Sequence, residues 1–130
     1  MKKIIVIGGG PAGLFAAFQA ARNGNSAMLL ECLARPGCKL LASGAGKCNL
    51  TNVLDAAAMA RRFPPEQRRF VKAALAAFPP ERLLNFFRER GLDFKLVDNF
   101  YYFPVTERAS DVLNILLDAL SGVGVRLECS

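Results

Sequence analysis

The sequence predicts an α/β fold built on a parallel βαβ core, and three local patterns predict it. Ile4-Ile5-Val6-Ile7 is an apolar strand that runs straight into Gly8-Gly9-Gly10-Pro11-Ala12-Gly13, a Gly-x-Gly-x-x-Gly spacing. An alanine-rich helical segment follows. A second apolar run, Ala27-Met28-Leu29-Leu30, then closes on an acid, Glu31, 18 residues past Gly13. A βαβ unit that holds the ADP half of a dinucleotide needs its parts in this order.

The first strand is expected over residues 3–7. Helix one starts at Pro11, a residue suited to the first helical turn, and runs to about Asn23, where Gly24 stops it. The second strand covers about 26–31. Gly8, Gly10, Ala12 and Gly13 are candidates to offer backbone to a pyrophosphate, with Pro11 fixing the first helical position between them. The helix N-terminus adds unpaired N–H groups and the positive end of its dipole. Glu31 is placed to accept hydrogen bonds from ribose hydroxyls. It disfavours a 2′-phosphate, because two anions would face each other. Arg35 could answer that charge, but Pro36-Gly37 reads as a turn leading away. FAD and NAD both remain open on these residues alone.

Bulk properties narrow the function classes. The 130 residues suffice for one core, and a composition of 52% hydrophobic and 22% charged residues is globular. No apolar run reaches the length that crosses a membrane. Lys2-Lys3 before an apolar stretch resembles a signal peptide, but three glycines and a proline interrupt the apolar segment. The net charge of +6 suits anionic ligands. Its carriers Arg61, Arg62, Arg68, Arg69 and Lys72 read as solvated helix faces, so no nucleic-acid partner is expected. The four cysteines, at 32, 38, 48 and 129, match no zinc spacing, and the chain has no histidine. No metal site is therefore expected. The thiols read as reduced, in a cytoplasmic protein without a membrane partner. No feature specifies an oligomeric state.

Residues 34–52 are rich in Gly, Ser and Asn and read as a long irregular loop of the kind that carries function. A helical insertion is expected over about 55–91. Within it Phe63-Pro64-Pro65-Glu66 recurs as Phe78-Pro79-Pro80-Glu81, and each copy is a helix start. Residues 92–104 alternate and carry aromatics around Asp98-Asn99, which predicts a β-hairpin. Ser110 is the expected N-cap of a helix whose Leu113, Leu116, Leu117 and Leu120 form one apolar stripe. Gly122 and Gly124 break that helix. A last strand, 125–129, is expected to join the parallel sheet.

The loop reads Gly37-Cys38-Lys39-Leu40-Leu41-Ala42-Ser43-Gly44-Ala45-Gly46-Lys47-Cys48-Asn49-Leu50-Thr51-Asn52. With the glycine turn, and with Phe103-Pro104-Val105-Thr106 and Ala109-Ser110-Asp111-Val112, it resembles the BaiN-like, aminoacetone-oxidase-like family of FAD-dependent flavoproteins over essentially the whole chain. The chain departs from the family pattern at three places. Cys38 stands where a basic residue is usual, Lys47 replaces arginine, and Ala45 replaces a frequent glycine. Ala45 implies negative φ at that position.

The resemblance implies a Rossmann-like FAD-binding domain, here incomplete, with the helical insertion and the small hairpin. It implies FAD as cofactor. Lys39 would lie near the phosphates or ribose. Ser43, Gly44, Lys47, Cys48, Asn49 and Leu50 would run past the pyrophosphate toward the flavin and donate N–H groups. Cys48, with one adjacent cation and no partner at CxxC spacing, is a binding-loop residue rather than a redox thiol. Members of the family are longer, so this chain is expected to be the N-terminal portion of a flavin-dependent oxidoreductase. Its small organic substrate would be met by a domain outside the chain, and no catalytic residue is assignable. The alternative is a truncated, non-catalytic nucleotide-binding or interaction module.

Overall fold

A computed structural model describes residues 1–130. In chain order the elements are β1 (Lys3–Ile7), α1 (Pro11–Arg22), β2 (Ser26–Glu31), α2 (Cys38–Ala42), a tight turn at Ser43–Gly46 and β3 (Thr51–Asn52). There follow α3 (Ala56–Ala60), α4 (Pro65–Ala77), α5 (Pro80–Arg88), β4 (Phe94–Val97), β5 (Tyr101–Pro104), α6 (Ala109–Gly122) and β6 (Arg126–Cys129). The chain forms two compact units. One comprises Met1–Cys48 and Glu107–Ser130, and the other Asn49–Thr106.

The first unit is the Rossmann-like α/β core, with a parallel sheet in the order β1-β2-β6. Register sets Ile4 beside Ala27, and Val6 beside Leu29, which in turn neighbours Leu127. This face packs on the helices: Ala27 and Leu29 are buried with Leu14, Ala17 and Phe18 of α1. Helix α6 adds Val112, Leu113, Leu116, Ala119 and Leu120 to the same core. Burying each large aliphatic side chain stabilises by roughly 1.5–3 kcal/mol. On the opposite face Ile5 and Ile7 are 63% and 85% exposed. The continuous apolar run of β1 is the pattern of a parallel strand, and only one of its faces is packed here.

Helices α1 and α6 stop by the same device. Gly24 and Gly124 take positive φ (78° and 73°), and the residue after each donates back into the last turn, Asn25 N to Ala20 O and Val125 N to Leu120 O. The expected start of α6 needs correction. The helix begins at Ala109, with Arg108 as its cap residue, so Ser110 lies inside the first turn and does not cap. Arg108 instead pairs with Asp111 at 3.1 Å, which places an acid at the positive end of the helix.

The segment 34–52 is more regular than its composition suggests. It holds α2, the Ser43–Gly46 turn and β3. Helix α2 is too short to persist by propensity alone and forms because Leu40 is buried and the helix packs on α6.

The second unit pairs the helical insertion with an antiparallel sheet in the order β3-β5-β4. Asp55 caps the short helix α3 by accepting from Ala58 N at 2.7 Å. Helices α4 and α5 start at Pro65 and Pro80, as the repeated Phe-Pro-Pro-Glu predicts. Helix α5 buries Leu84, Phe86 and Phe87, and the Phe87 ring meets Phe94 of β4 edge-on at 5.8 Å. Asp98 and Asn99 turn the β4–β5 hairpin with φ of 52° each, a conformation these two residue types tolerate. Thr51 and Asn52 pair with Tyr102 and Tyr101 as a third strand. No helix is long and apolar enough to cross a membrane.

Candidate functional site

The glycine turn sits at the C-terminal end of β1, where α/β sheets bind ligands. Gly8 has φ of 101° and donates to Leu30 O at 2.8 Å, which extends the β1–β2 ladder by one bond. A Cβ on Gly13 would collide with the Gly8 carbonyl oxygen. The third glycine thus lets α1 approach the strand. Gly10 caps α1, and a Cβ there would meet nothing within 4 Å. Pro11 and Ala12 are exposed, and the first turn of α1 contains no acid. The positive end of this 12-residue helix is therefore open and not neutralised from within.

Glu31 ends β2 with both carboxylate oxygens fixed. Oε2 accepts from Gly9 N at 2.6 Å. Oε1 accepts from Leu33 N at 2.9 Å and from Cys32 Sγ at 3.3 Å. These bonds hold the carboxyl below its ordinary value, the Leu33 N–H contributing most, then the Gly9 N–H, then the Cys32 thiol. The same contact pushes the Cys32 thiol up, through its hydrogen bond to Glu31 and the adjacent negative charge. Glu31 is thus an anion in a set orientation, with lone pairs left for ribose hydroxyls.

The Pro36-Gly37 turn does not lead away. Gly37 N donates to Gly9 O at 2.8 Å and so ties the segment after β2 back to the glycine turn. Gly37 has φ of 78°, and Leu113 of α6 occupies the place where its Cβ would stand. Beyond it Lys39 is exposed on α2.

Ser43–Cys48 is closed upon itself. The Ser43 hydroxyl donates to Leu40 O at 2.7 Å. Lys47 N donates to Gly44 O and Cys48 N to Ser43 O. Contrary to expectation Ala45 has positive φ (54°), between Gly44 at 56° and Gly46 at 85°, because all three wind through one left-handed turn. Cys48 is also left-handed, with φ of 63°, and it is 3% exposed. Burial pushes its thiol up, so it is no ready thiolate. The Lys47 ammonium lies 3.8 Å from Glu107. Asn49 and Leu50 belong to the second unit, where Leu50 N donates to Tyr102 O at 2.9 Å. The N–H groups of Lys47, Cys48 and Leu50, expected as ligand donors, are engaged within the protein.

The structure thus brings Gly8, Gly10, Pro11, Ala12, Gly13 and Glu31 together at one strand end. Sequence reasoning missed Gly9, Pro36 and Gly37. The available signal was Gly9 itself, the middle glycine of three in a row, at a position the spacing motif leaves free. The residues fit a dinucleotide: an open helix N-terminus, a turn without side chains, and a fixed carboxylate beside it. No group of three or more Cys, Asp or Glu side chains is placed to hold a metal ion. The second unit has a separate cleft of about 250 Å³, lined by Asn52, Asp55, Glu81, Leu84 and Tyr102 among others. Its two acids are already engaged, Asp55 as a helix cap and Glu81 with Arg88.

Comparison with known proteins places this geometry in a family context. The HI0933-like protein Rossmann domain matches residues 2–130. The 3-dehydro-bile acid delta(4,6)-reductase of Clostridium scindens is 37% identical over 119 residues, 89% of this chain and 28% of that protein. A ribosomal RNA dihydrouridine synthase of Haemophilus influenzae is 36% identical over 90 residues, 69% of this chain and 22% of that protein. Among solved structures, Thermovibrio ammonificans THI4 superposes with a TM-score of 0.58 at 18% identity, over 98% of this chain and 38% of that one, a likeness of fold. The chain spans less than a third of the length of the curated relatives it matches.

Proposed function

The chain belongs to the HI0933-like family through its Rossmann domain, and from that premise we propose that it is the FAD-binding portion of a flavin-dependent oxidoreductase. The observation that carries the reading is the fixed Glu31 carboxylate beside the open N-terminus of α1. In this reading the Gly10–Gly13 backbone cradles the pyrophosphate and Glu31 accepts from the adenosine ribose. Lys39 and Lys47 supply positive charge near the phosphates and the ribose. The Ser43–Cys48 segment borders the path toward the flavin. Bound FAD would supply the redox chemistry, and the protein's part is to bind, orient and tune it. The whole protein would act on a small organic substrate, in the cytoplasm. Two relatives named for different substrates, a bile acid and ribosomal RNA, support a substrate choice that lies outside this domain.

Titration of the chain with FAD, followed by flavin fluorescence, tests the proposal. Saturable one-to-one binding is expected, weakened at least about tenfold by Gly10→Val, whose side chain would enter the open space over the turn. Wild-type protein that takes up no FAD, or a Gly10→Val variant that binds equally well, contradicts it.

A further inference from the structure

We propose that Gly9, the free position of the Gly-x-Gly-x-x-Gly motif, is the positioning residue that sets the ribose-binding carboxylate before any nucleotide arrives. The inference rests on the dinucleotide reading above. Gly9 is held on every side. Its N–H donates to Glu31 Oε2 at 2.6 Å, and its carbonyl accepts from Gly37 N at 2.8 Å. A Cβ at this position would stand 2.8 Å from Pro36 Cβ and 2.9 Å from Glu31 Oε2. Gly9 is buried, although the glycines on either side of it are only half-buried.

Any side chain here forces one of two neighbours to move. Pro36 is a rigid ring in a turn anchored through Gly37 against Leu113 of α6, so it yields poorly. The Glu31 carboxylate is the end of a flexible side chain and yields easily, while Glu31 Cβ, 3.2 Å away, need give only by a few tenths of an ångström. Displacement of the carboxylate breaks the Gly9 bond and leaves it held through Oε1 alone, by Leu33 N and the Cys32 thiol, with Oε2 no longer fixed toward the ribose. Glycine at position 9 thus acts through Glu31. Gly10 and Gly13, by contrast, act through backbone approach and helix packing.

The test compares the affinities of the full chain for ADP and for 2′,3′-dideoxy-ADP, measured by calorimetry. Wild type should prefer ADP by about tenfold, the worth of a hydrogen bond to a charged acceptor. Gly9→Ala should lose most of that preference while still binding the dideoxy analogue as wild type does. A Gly9→Ala variant that keeps the preference, or loses both ligands by the same factor, overturns the proposal and leaves the site reading intact. If wild type treats the two ligands alike, or binds neither, the site reading itself fails and takes this proposal with it. A measurement without any variant guards against misfolding: the Gly9 amide proton of the ligand-free chain should move as the Glu31 carboxyl is titrated. A Gly9 amide indifferent to that titration also overturns the proposal.

Discussion

The Gly8–Gly13 turn and the Ser43–Cys48 segment are both glycine-rich, and both read as binding elements, yet they are built in opposite ways. The turn bonds inward at Gly8 and Gly9 but leaves Gly10 and the helix end open. Gly10 borders open space, and the first turn of α1 carries no acid of its own. The segment bonds inward, with Lys47 N on Gly44 O and Cys48 N on Ser43 O. The turn places positive φ only on glycine, at Gly8, whereas the segment forces it on Ala45 and Cys48 as well. Left-handed backbone at a non-glycine residue costs roughly 1–2 kcal/mol. A turn of the first kind is preorganised for a ligand, because Gly8 N and Gly9 N fix its shape within the protein while the first turn of α1 stays open. A segment of the second kind holds a fixed shape at the expense of its donors, and its contribution to binding falls to side chains such as Lys47.

Substitutions should separate the two regions, and the largest effect belongs to the turn. Gly13→Ala drives a Cβ into the Gly8 carbonyl, a backbone atom that cannot step aside, and should cost about 3 kcal/mol of stability. Thermal melting would register this as a fall of many degrees; an unchanged melting temperature would mean that α1 does not pack on β1 as described.

The next effect is a pH dependence. The Glu31 carboxyl lies below its ordinary value of 4.5 in the folded chain, so its bonds stabilise the fold fully above that value. That stabilisation is lost as pH falls through the folded value. The gap in melting temperature between wild type and Glu31→Gln should therefore narrow from about pH 6 to about pH 3. A gap that widens on acidification would refute the hydrogen-bond arrangement.

The smallest effect lies in the segment. Ala45→Gly removes left-handed strain but adds freedom to the unfolded chain, for a net gain of about 0.5–1 kcal/mol. Denaturant unfolding would resolve it, and a loss of stability would mean that Ala45 is not left-handed.

The same contrast explains what the sequence discloses. The strand, glycine turn, helix and closing acid are contiguous patterns, and each was legible because local periodicity and capping decide it. The Gly9–Glu31 and Gly37–Gly9 bonds join residues far apart in the chain, and a glycine carries no side chain to advertise them. Helix α2 and strand β3 escaped notice because burial of Leu40 and pairing with Tyr101 and Tyr102 make them, not propensity. Ser110 looked like a cap, yet α6 begins one residue earlier, behind Arg108. Ala45 looked like a residue at negative φ because alanine nearly always is, and only the closed turn around it overrides that preference.

The most direct test is to add ADP to isotope-labelled chain and record which backbone amides shift. The largest changes should fall at Gly10, Ala12, Gly13 and Glu31, with Lys47 and Cys48 moving little. Changes centred on Lys47 and Cys48, or no changes at all, would contradict a nucleotide site built on the outward-facing turn.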